Sequence, residues 1–312
     1  MRAARVAAVS VAAARAFLQR NGLAPHRDRG QNFLHDDALA EKLVRVAGVG
    51  EGDSVVEVGT GLGILTRALA ARAEQVVSVE IDAGLVRALR AEQVLPERVR
   101  LIHADALQID WEPLLRELPA PVRIVANLPY SAATPLLRKF LDLAPHLRGW
   151  AVMVQKELAV RLRAAPGSRG FGSFSVLHRL VADVQESLEV HPRCFYPVPR
   201  VTSTFLRLAP LSAKPLAPGE LAAVEPLAQG ELAAVEPLAP GELAGVERVV
   251  RAAFAHRRKT LANSLGREGV LAPARVQQVL REEGLDARSR AENLTPGAWL
   301  KLTRKLPIPQ KS

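Results

Sequence analysis

One cysteine, Cys194, among 312 residues excludes an internal disulfide framework and a cysteine-based zinc site. It reads most simply as a small buried apolar residue. The seven histidines fall at no ligand spacing, so no metal is implied. No apolar run approaches the roughly 18 residues that a membrane span needs, and none is expected. Disorder is excluded as well, because 48% of the residues are hydrophobic and the mean hydropathy is +0.06. The length allows a large core and more than one domain.

Acid is scarce at both ends. Residues 1–35 carry six Arg and Lys against one acid, and residues 248–312 carry 14 against five. Residues 36–247 carry 22 against 26. Basic ends around a slightly acidic middle form the electrostatic footprint of a polyanion partner, with the middle left for another ligand. Any one Arg, taken alone, is simply a solvated helix face. The Arg- and Ala-rich opening resembles an organelle transit peptide, but it lacks serine and the alanine bias runs through the whole chain. We read a cytoplasmic protein whose N-terminus is a helix or is disordered.

From Asp53 onward, apolar strands alternate with helical stretches. "SVVEVG" (54–59), "QVVSVEID" (75–82), "VRLIHAD" (99–105) and "PVRIVANLPY" (121–130) read as strands, and "WAVMVQKELAVRLRA" as a fifth strand running into a helix. Continuous apolar strands separated by helices predict an α/β fold, a parallel sheet covered on both faces. Residues 183–190 and 203–209 read as further strands, antiparallel at one side. Three near-identical units of 11 residues follow, at 215–225, 226–236 and 237–247. Each opens with Pro and carries a Gly, which predicts short helical turns in a low-complexity insertion. Beyond them, "RVVRAAFAHRRKTLANSL" reads as a basic amphipathic helix. "PARVQQVLREEG" and "TPGAWLKLTRKL" read as helices opened by Pro or a Thr cap.

The first strand ends in "EVGTGLG". Its glycines, Gly59, Gly61 and Gly63, allow a sharp turn and a close approach of ligand to main chain. Ile64 stands where the last glycine of a dinucleotide fingerprint would fall, and Glu57 precedes the loop. Both favour S-adenosyl-L-methionine, which has no phosphate and carries positive charge, over a pyrophosphate. Glu80, 21 positions after Gly59, stands where an acid meets ribose hydroxyls in doubly wound folds. Asp105 ends the third strand, within reach of an adenine amine. The fourth strand stops on Asn127-Leu128-Pro129-Tyr130. An exocyclic aromatic amine is a poor nucleophile until acceptors draw its lone pair out of conjugation. The Asn127 oxygen and a backbone carbonyl of this turn supply such acceptors, Pro129 fixes the turn, and Tyr130 stacks on a base taken out of its helix. Taken one by one, these residues are a tight turn, solvated acids and a capped turn with a packed ring. Their order along successive strand ends is what points to a site.

With these motifs in view, the chain resembles the ribosomal RNA adenine N6-dimethyltransferases, the bacterial small-subunit enzyme and its relatives. "GQNFLHD" (30–36) is similar to that family's opening motif, with Gln31, Asn32 and Leu34 at its cofactor-contacting positions. "VVEVGTGLGILT", "VVSVEID" and "HADAL" are similar to its cofactor motifs, which adds Ile81 and Ala106. "NLPY" matches its signature, and "CFYPVPRVTSTFLRL" places Phe195 where an aromatic is expected to face the target base. "FAHRRKTLANSL" resembles the start of its helical C-terminal domain, with Arg257, Arg258 and Lys259 against RNA phosphates. Departures are Thr60, where many relatives have Pro, Arg29 before the opening motif, and the triple repeat.

The resemblance implies a Rossmann-like class I methyltransferase sheet with a small all-α C-terminal domain. It implies a catalytic domain over 1–209 with 1–20 as an extension, a linker over 210–247, and an RNA-binding domain over 248–312. It implies S-adenosyl-L-methionine as cofactor and N6-dimethylation of two adjacent adenines of small-subunit (16S) rRNA in a precursor 30S particle, by a monomer. Three alternatives stand beside it. The branch that methylates one large-subunit adenine is disfavoured by "FAHRRKTLANSL". A binding-only assembly protein is disfavoured by the intact site motifs, and a nicotinamide dehydrogenase by the failed glycine fingerprint.

Overall fold

The computed structural model describes residues 10–26, 30–211, 238–239 and 241–306. The elements in chain order are α1 (Val11–Arg20), β1 (Phe33–Leu34), α2 (Asp37–Val46), β2 (Ser54–Val58), α3 (Ile64–Ala70), β3 (Gln75–Glu80) and α4 (Ala83–Ala91). Next come β4 (Val99–His103), α5 (Trp111–Arg116), β5 (Val122–Asn127), α6 (Ala133–Leu143), β6 (Gly149–Gln155), α7 (Lys156–Arg163) and α8 (Ser173–Val181). The chain continues through β7 (Ala182–Val190), β8 (Phe195–Tyr196), β9 (Ser203–Pro210), α9 (Glu242–Phe254), α10 (Leu261–Arg267), α11 (Pro273–Glu282) and α12 (Pro296–Lys305).

Seven strands form one sheet in the order β4-β3-β2-β5-β6-β9-β7. β4, β3, β2, β5 and β6 pair in parallel, and β9 pairs antiparallel with β6. Every residue of β2 is buried, as a central parallel strand covered on both faces requires. The chain steps outward from β2 to β3 and β4, then returns to build β5 on the other side of β2. That reversal opens a crevice at the carboxyl ends of β2 and β5, where such sheets bind ligands.

α1, within the stretch expected to be an extension over 1–20, packs into the fold. Ala14, Phe17 and Leu18 are buried in the same apolar core as Phe33, Leu43 and Val55, and burying each large side chain stabilises by about 1.5–3 kcal/mol. α5 has no counterpart in the sequence reading. Its Trp111 is buried and donates from Nε1 to Ala106 O at 2.9 Å. Cys194 is half-buried, against the expectation of a buried residue.

The described residues divide into two compact units. One runs to Lys156 and resumes at Gln185; the other holds Glu157–Val184 and the C-terminal helices. This differs from the division expected at 209 and 248, because α8 groups with the C-terminal helices. The reason is aromatic packing. The Phe171 ring lies 6.3 Å from Phe254, and Phe254 stacks at 5.9 Å on the buried Trp299. The second unit also begins earlier than 248. α9 starts inside the third repeat, burying Leu243 and Val246 and pairing Glu242 with Arg304 at 2.7 Å. The first two repeats, and Arg29, lie outside the described residues. The single basic helix read over 248–265 is two. α9 stops at Phe254, and Thr260 caps α10 by accepting from Asn263 N at 3.4 Å.

Candidate active site

A cavity of about 830 Å³, counting its open mouth, lies at the carboxyl ends of β2, β3, β4 and β5. It brings together Gln31, Asn32, Gly59, Gly61, Glu80, Ile81, Asp105, Ala106, Asn127, Leu128, Pro129 and Tyr130. Two expected residues are absent from its wall. Leu34 and Phe195 are both 5% exposed or less and face the core. The short β1–β8 ladder explains this. Neighbouring side chains on a strand point to opposite faces. Phe33 lines the cavity, so Leu34 points away from it, and Phe195, paired with Leu34, points with it. The side chains of Phe195 and Leu34 thus pack in the core and form no part of the cavity wall. Phe33, Gly30 and Leu107 are lining residues that the sequence reading missed.

Gly59 has a φ of +87°, and a Cβ there would sit 3.3 Å from Asn127 O. Gly61 has a φ of +56°, and a Cβ would meet the Phe33 ring at 3.2 Å. Side chains at these two positions would be strained and would crowd the two walls of the cavity. Glu80 ends β3 and is buried. It accepts from Gly61 N and Asp82 N, each at 2.9 Å. Burial raises its pKa above the ordinary carboxylate value, against these hydrogen bonds. Asp105 is partly engaged already, accepting from Leu107 N at 2.9 Å and Gln108 Nε2 at 3.2 Å. Ile81 and Leu107 stay 47% and 41% exposed at this wall, apolar surfaces suited to a flat ring.

Gln31 acts as a brace. Its Nε2 donates to Asp82 Oδ2 at 3.2 Å, and its Oε1 accepts from His26 N at 2.9 Å. Asn127 Nδ2 donates to Asn32 O at 3.1 Å. That bond fixes the amide through its nitrogen, and among the described residues no hydrogen bond engages its oxygen. Pro129 O accepts from Ala132 N at 3.0 Å, closing the turn. Tyr130 is half-buried, and its hydroxyl lies 2.9 Å from Ser203 Oγ. Burial raises the Tyr130 pKa, so the phenol stays protonated at neutral pH. Arg257, Arg258 and Lys259 lie in the other unit, all exposed, in the turn between α9 and α10. Arg257 donates to Phe171 O at 3.4 Å and Arg169 O at 3.5 Å.

The cavity wall carries two carboxylates and, among the described residues, no Lys or Arg. A phosphate ligand would find no counter-charge there, whereas a cationic nucleoside would. Fold and cavity thus define a class: a doubly wound α/β enzyme with a nucleoside-type cofactor site at its sheet reversal. Residues 23–220 match the model of the ribosomal RNA adenine dimethylase family, and the chain belongs to that family. It is 36% identical to the ribosomal RNA small subunit methyltransferase A of Magnetococcus marinus, over 94% of this chain and 95% of that one. It is also 36% identical to the protein of that name from Moorella thermoacetica, over 93% of this chain and 96% of that one. Among solved structures, a Plasmodium falciparum dimethyladenosine transferase aligns with a TM-score of 0.66 at 21% identity, covering 86% of this chain and 95% of that one. The 23S rRNA methyltransferase ErmE aligns with a TM-score of 0.59 at 26% identity, covering 88% and 99%. The chain is a Rossmann-like rRNA adenine methyltransferase. No helix among the described residues is long and apolar enough to cross a membrane.

Proposed function

We propose that this protein uses S-adenosyl-L-methionine to dimethylate N6 of two adjacent adenines in small-subunit rRNA, acting on a precursor particle in the cytoplasm. The observation that carries the reading is the cavity wall, acidic and free of Lys and Arg among the described residues, ending in an Asn127 amide whose oxygen is left available. The Magnetococcus marinus and Moorella thermoacetica relatives, each matched over more than 90% of the chain, are named for the small subunit, while the large-subunit enzyme is 26% identical.

Glu80 would hold the ribose hydroxyls and Asp105 the adenine amine, with Ile81, Ala106 and Leu107 against the ring. Gly59 and Gly61 let the remainder of the cofactor lie against main chain. When bound, the cofactor supplies a methyl group on positively charged sulfur. The residues of the turn do the rest. Asn127 Oδ1 and the Leu128 carbonyl would accept from the two N6–H groups in the first transfer, and from the one that remains in the second, drawing the nitrogen lone pair out of conjugation with the ring. Tyr130 stacks on the flipped base. Catalysis then rests on positioning and fixed dipoles.

The test is transfer of labelled methyl groups to unmethylated small subunits and, separately, to large subunits, with the products mapped. N6-dimethyladenine in small-subunit RNA is expected, and transfer to large subunits alone overturns the reading. In the same assay, Asn127→Ala should lower turnover by roughly 10²–10³-fold, as loss of a transition-state acceptor does, with RNA affinity kept. Equal loss of both would make Asn127 structural.

A further inference from the structure

We propose that Ser203 is a positioning residue for this reaction, its hydroxyl holding the Tyr130 ring in place at the cavity. The inference rests on the reading that Tyr130 stacks on the target adenine. Tyr130 follows Pro129 in a turn beyond the end of β5, outside any strand pairing. A ring there keeps rotamer freedom unless its tip is tied, and ordering it at each encounter would cost entropy. A half-buried phenol also needs a partner for its hydroxyl. Ser203 meets both needs at 2.9 Å.

The fold makes Ser203 a rigid anchor. It is wholly buried, and it opens β9 in register with Gln155, the last residue of β6. Next to it, Thr202 O accepts from Lys156 N at 3.0 Å. β6 in turn pairs with β5, with Met153 opposite Asn127. Asn127 and Ser203 are thus set at fixed offsets on strands either side of β6. The acceptor that engages the amine and the anchor of the ring that receives the base are parts of one hydrogen-bonded frame. This gives the antiparallel strand β9 a catalytic purpose beyond completing the sheet. It also explains why a tyrosine suits this position better than phenylalanine, which would stack equally well with nothing to hold its edge.

Two measurements test the tether, one independent of the reaction. Tyr130 and Tyr196 are the only tyrosines, so in a Tyr196→Phe background the phenolate absorbance reports Tyr130 alone. Burial pushes the Tyr130 pKa up and the Ser203 hydrogen bond opposes it. Ser203→Ala should therefore move the titration further up. A substitution that merely loosened the structure would expose the phenol and move it down towards the ordinary tyrosine value. An unmoved or lowered titration overturns the proposal.

The second measurement is single-turnover methyl transfer by Ser203→Ala, Tyr130→Phe and the double variant. Each single change should slow transfer about tenfold, the worth of one such hydrogen bond, with cofactor affinity unchanged. The double variant should be no slower than the slower single. Losses that multiply overturn the tether. If the wild-type protein transfers nothing to small-subunit RNA, the functional reading fails, while the phenol titration still decides the Ser203 contact.

Discussion

Glu57 stands two positions before Gly59 and is wholly buried, yet it touches neither cavity nor solvent. Its Oε2 accepts from Ser78 Oγ at 2.5 Å and Thr66 Oγ1 at 2.6 Å, and Ser78 in turn accepts from Thr60 Oγ1 at 2.6 Å. One carboxyl therefore ties the glycine loop, the start of α3 and the middle of β3. Thr60, where many relatives are expected to carry proline, supplies the hydroxyl that joins the loop to this network. Burial raises the Glu57 pKa to about 8, helped by the charge of Glu80 and opposed by the two hydroxyls. The consequence for stability has a definite sign. Between about pH 4.5 and 8 the unfolded chain has lost this proton and the folded chain keeps it. Stability from this group is thus complete below pH 4.5 and declines as pH rises to 8, at about 1.4 kcal/mol per unit. Glu57→Gln keeps an acceptor for both hydroxyls and has no proton to lose. Urea unfolding at pH 5.5 and 7.5 should show the variant gaining on the wild type by roughly 2 kcal/mol across that interval. A constant difference would mean that Glu57 is ionised in the folded protein.

At the scale of elements, the two ends of the parallel sheet have opposite tasks. The carboxyl ends stay open for ligand. The amino ends are clamped by Asp53, which is buried just before β2 and accepts from Arg123 Nε of β5 and from Gly50 N, each at 2.9 Å. Arg148 lies 3.8 Å from its other oxygen. Burial lowers the Arg123 pKa, and Asp53 opposes that shift. Asp53→Asn would leave the Arg123 charge buried and unpaired, at a cost of about 3–5 kcal/mol. A lowered urea midpoint with unchanged cofactor affinity is the expected result, because the cavity is at the far end of β2. A drop in affinity at conditions where the variant is folded would show that strain passes along the strand. The strand ends were legible in the sequence because apolar runs and their stop signals are local. Gly59, Glu80, Asp105 and Asn127 each end or follow such a run, and parallel pairing aligns those ends without further information. What was not legible depended on partners distant in sequence. Phe195 reads as an available aromatic until its pairing with Leu34 turns it inward. Residues 173–181, with no element read for them in the sequence, fall within the expected catalytic domain until Phe171 meets Phe254. α1 reads as an extension because only the folded core shows what Phe17 covers.

At the scale of the whole chain, charge and chemistry are divided between the two units. The cavity is lined entirely by residues of the sheet-bearing unit, and its wall is acidic. The helical unit carries most of the basic excess of the C-terminal region, where 14 Arg and Lys face five acids. The C-terminal part of the polyanion footprint read from the sequence thus falls on a unit with no part in the cavity wall. Within that unit the cluster at 257–259 is itself differentiated. Arg257 spends its guanidinium on the carbonyls of Arg169 and Phe171, fixing the turn, and Arg258 and Lys259 extend beyond it as exposed charge. Phosphate contacts of this kind release counterions, so each one contributes roughly 0.7–0.9 to the slope of log affinity against log salt. The double variant Arg258→Ala/Lys259→Ala should therefore bind small-subunit rRNA more weakly at low salt and with a slope shallower by roughly 1.5. Its affinity for S-adenosyl-L-methionine should match the wild type, since neither residue belongs to the unit that forms the cavity. Binding isotherms over a salt series, with cofactor affinity measured alongside, separate the outcomes. An unchanged slope would take these two residues out of the RNA interface, and a parallel loss of cofactor affinity would show that the units do not work independently.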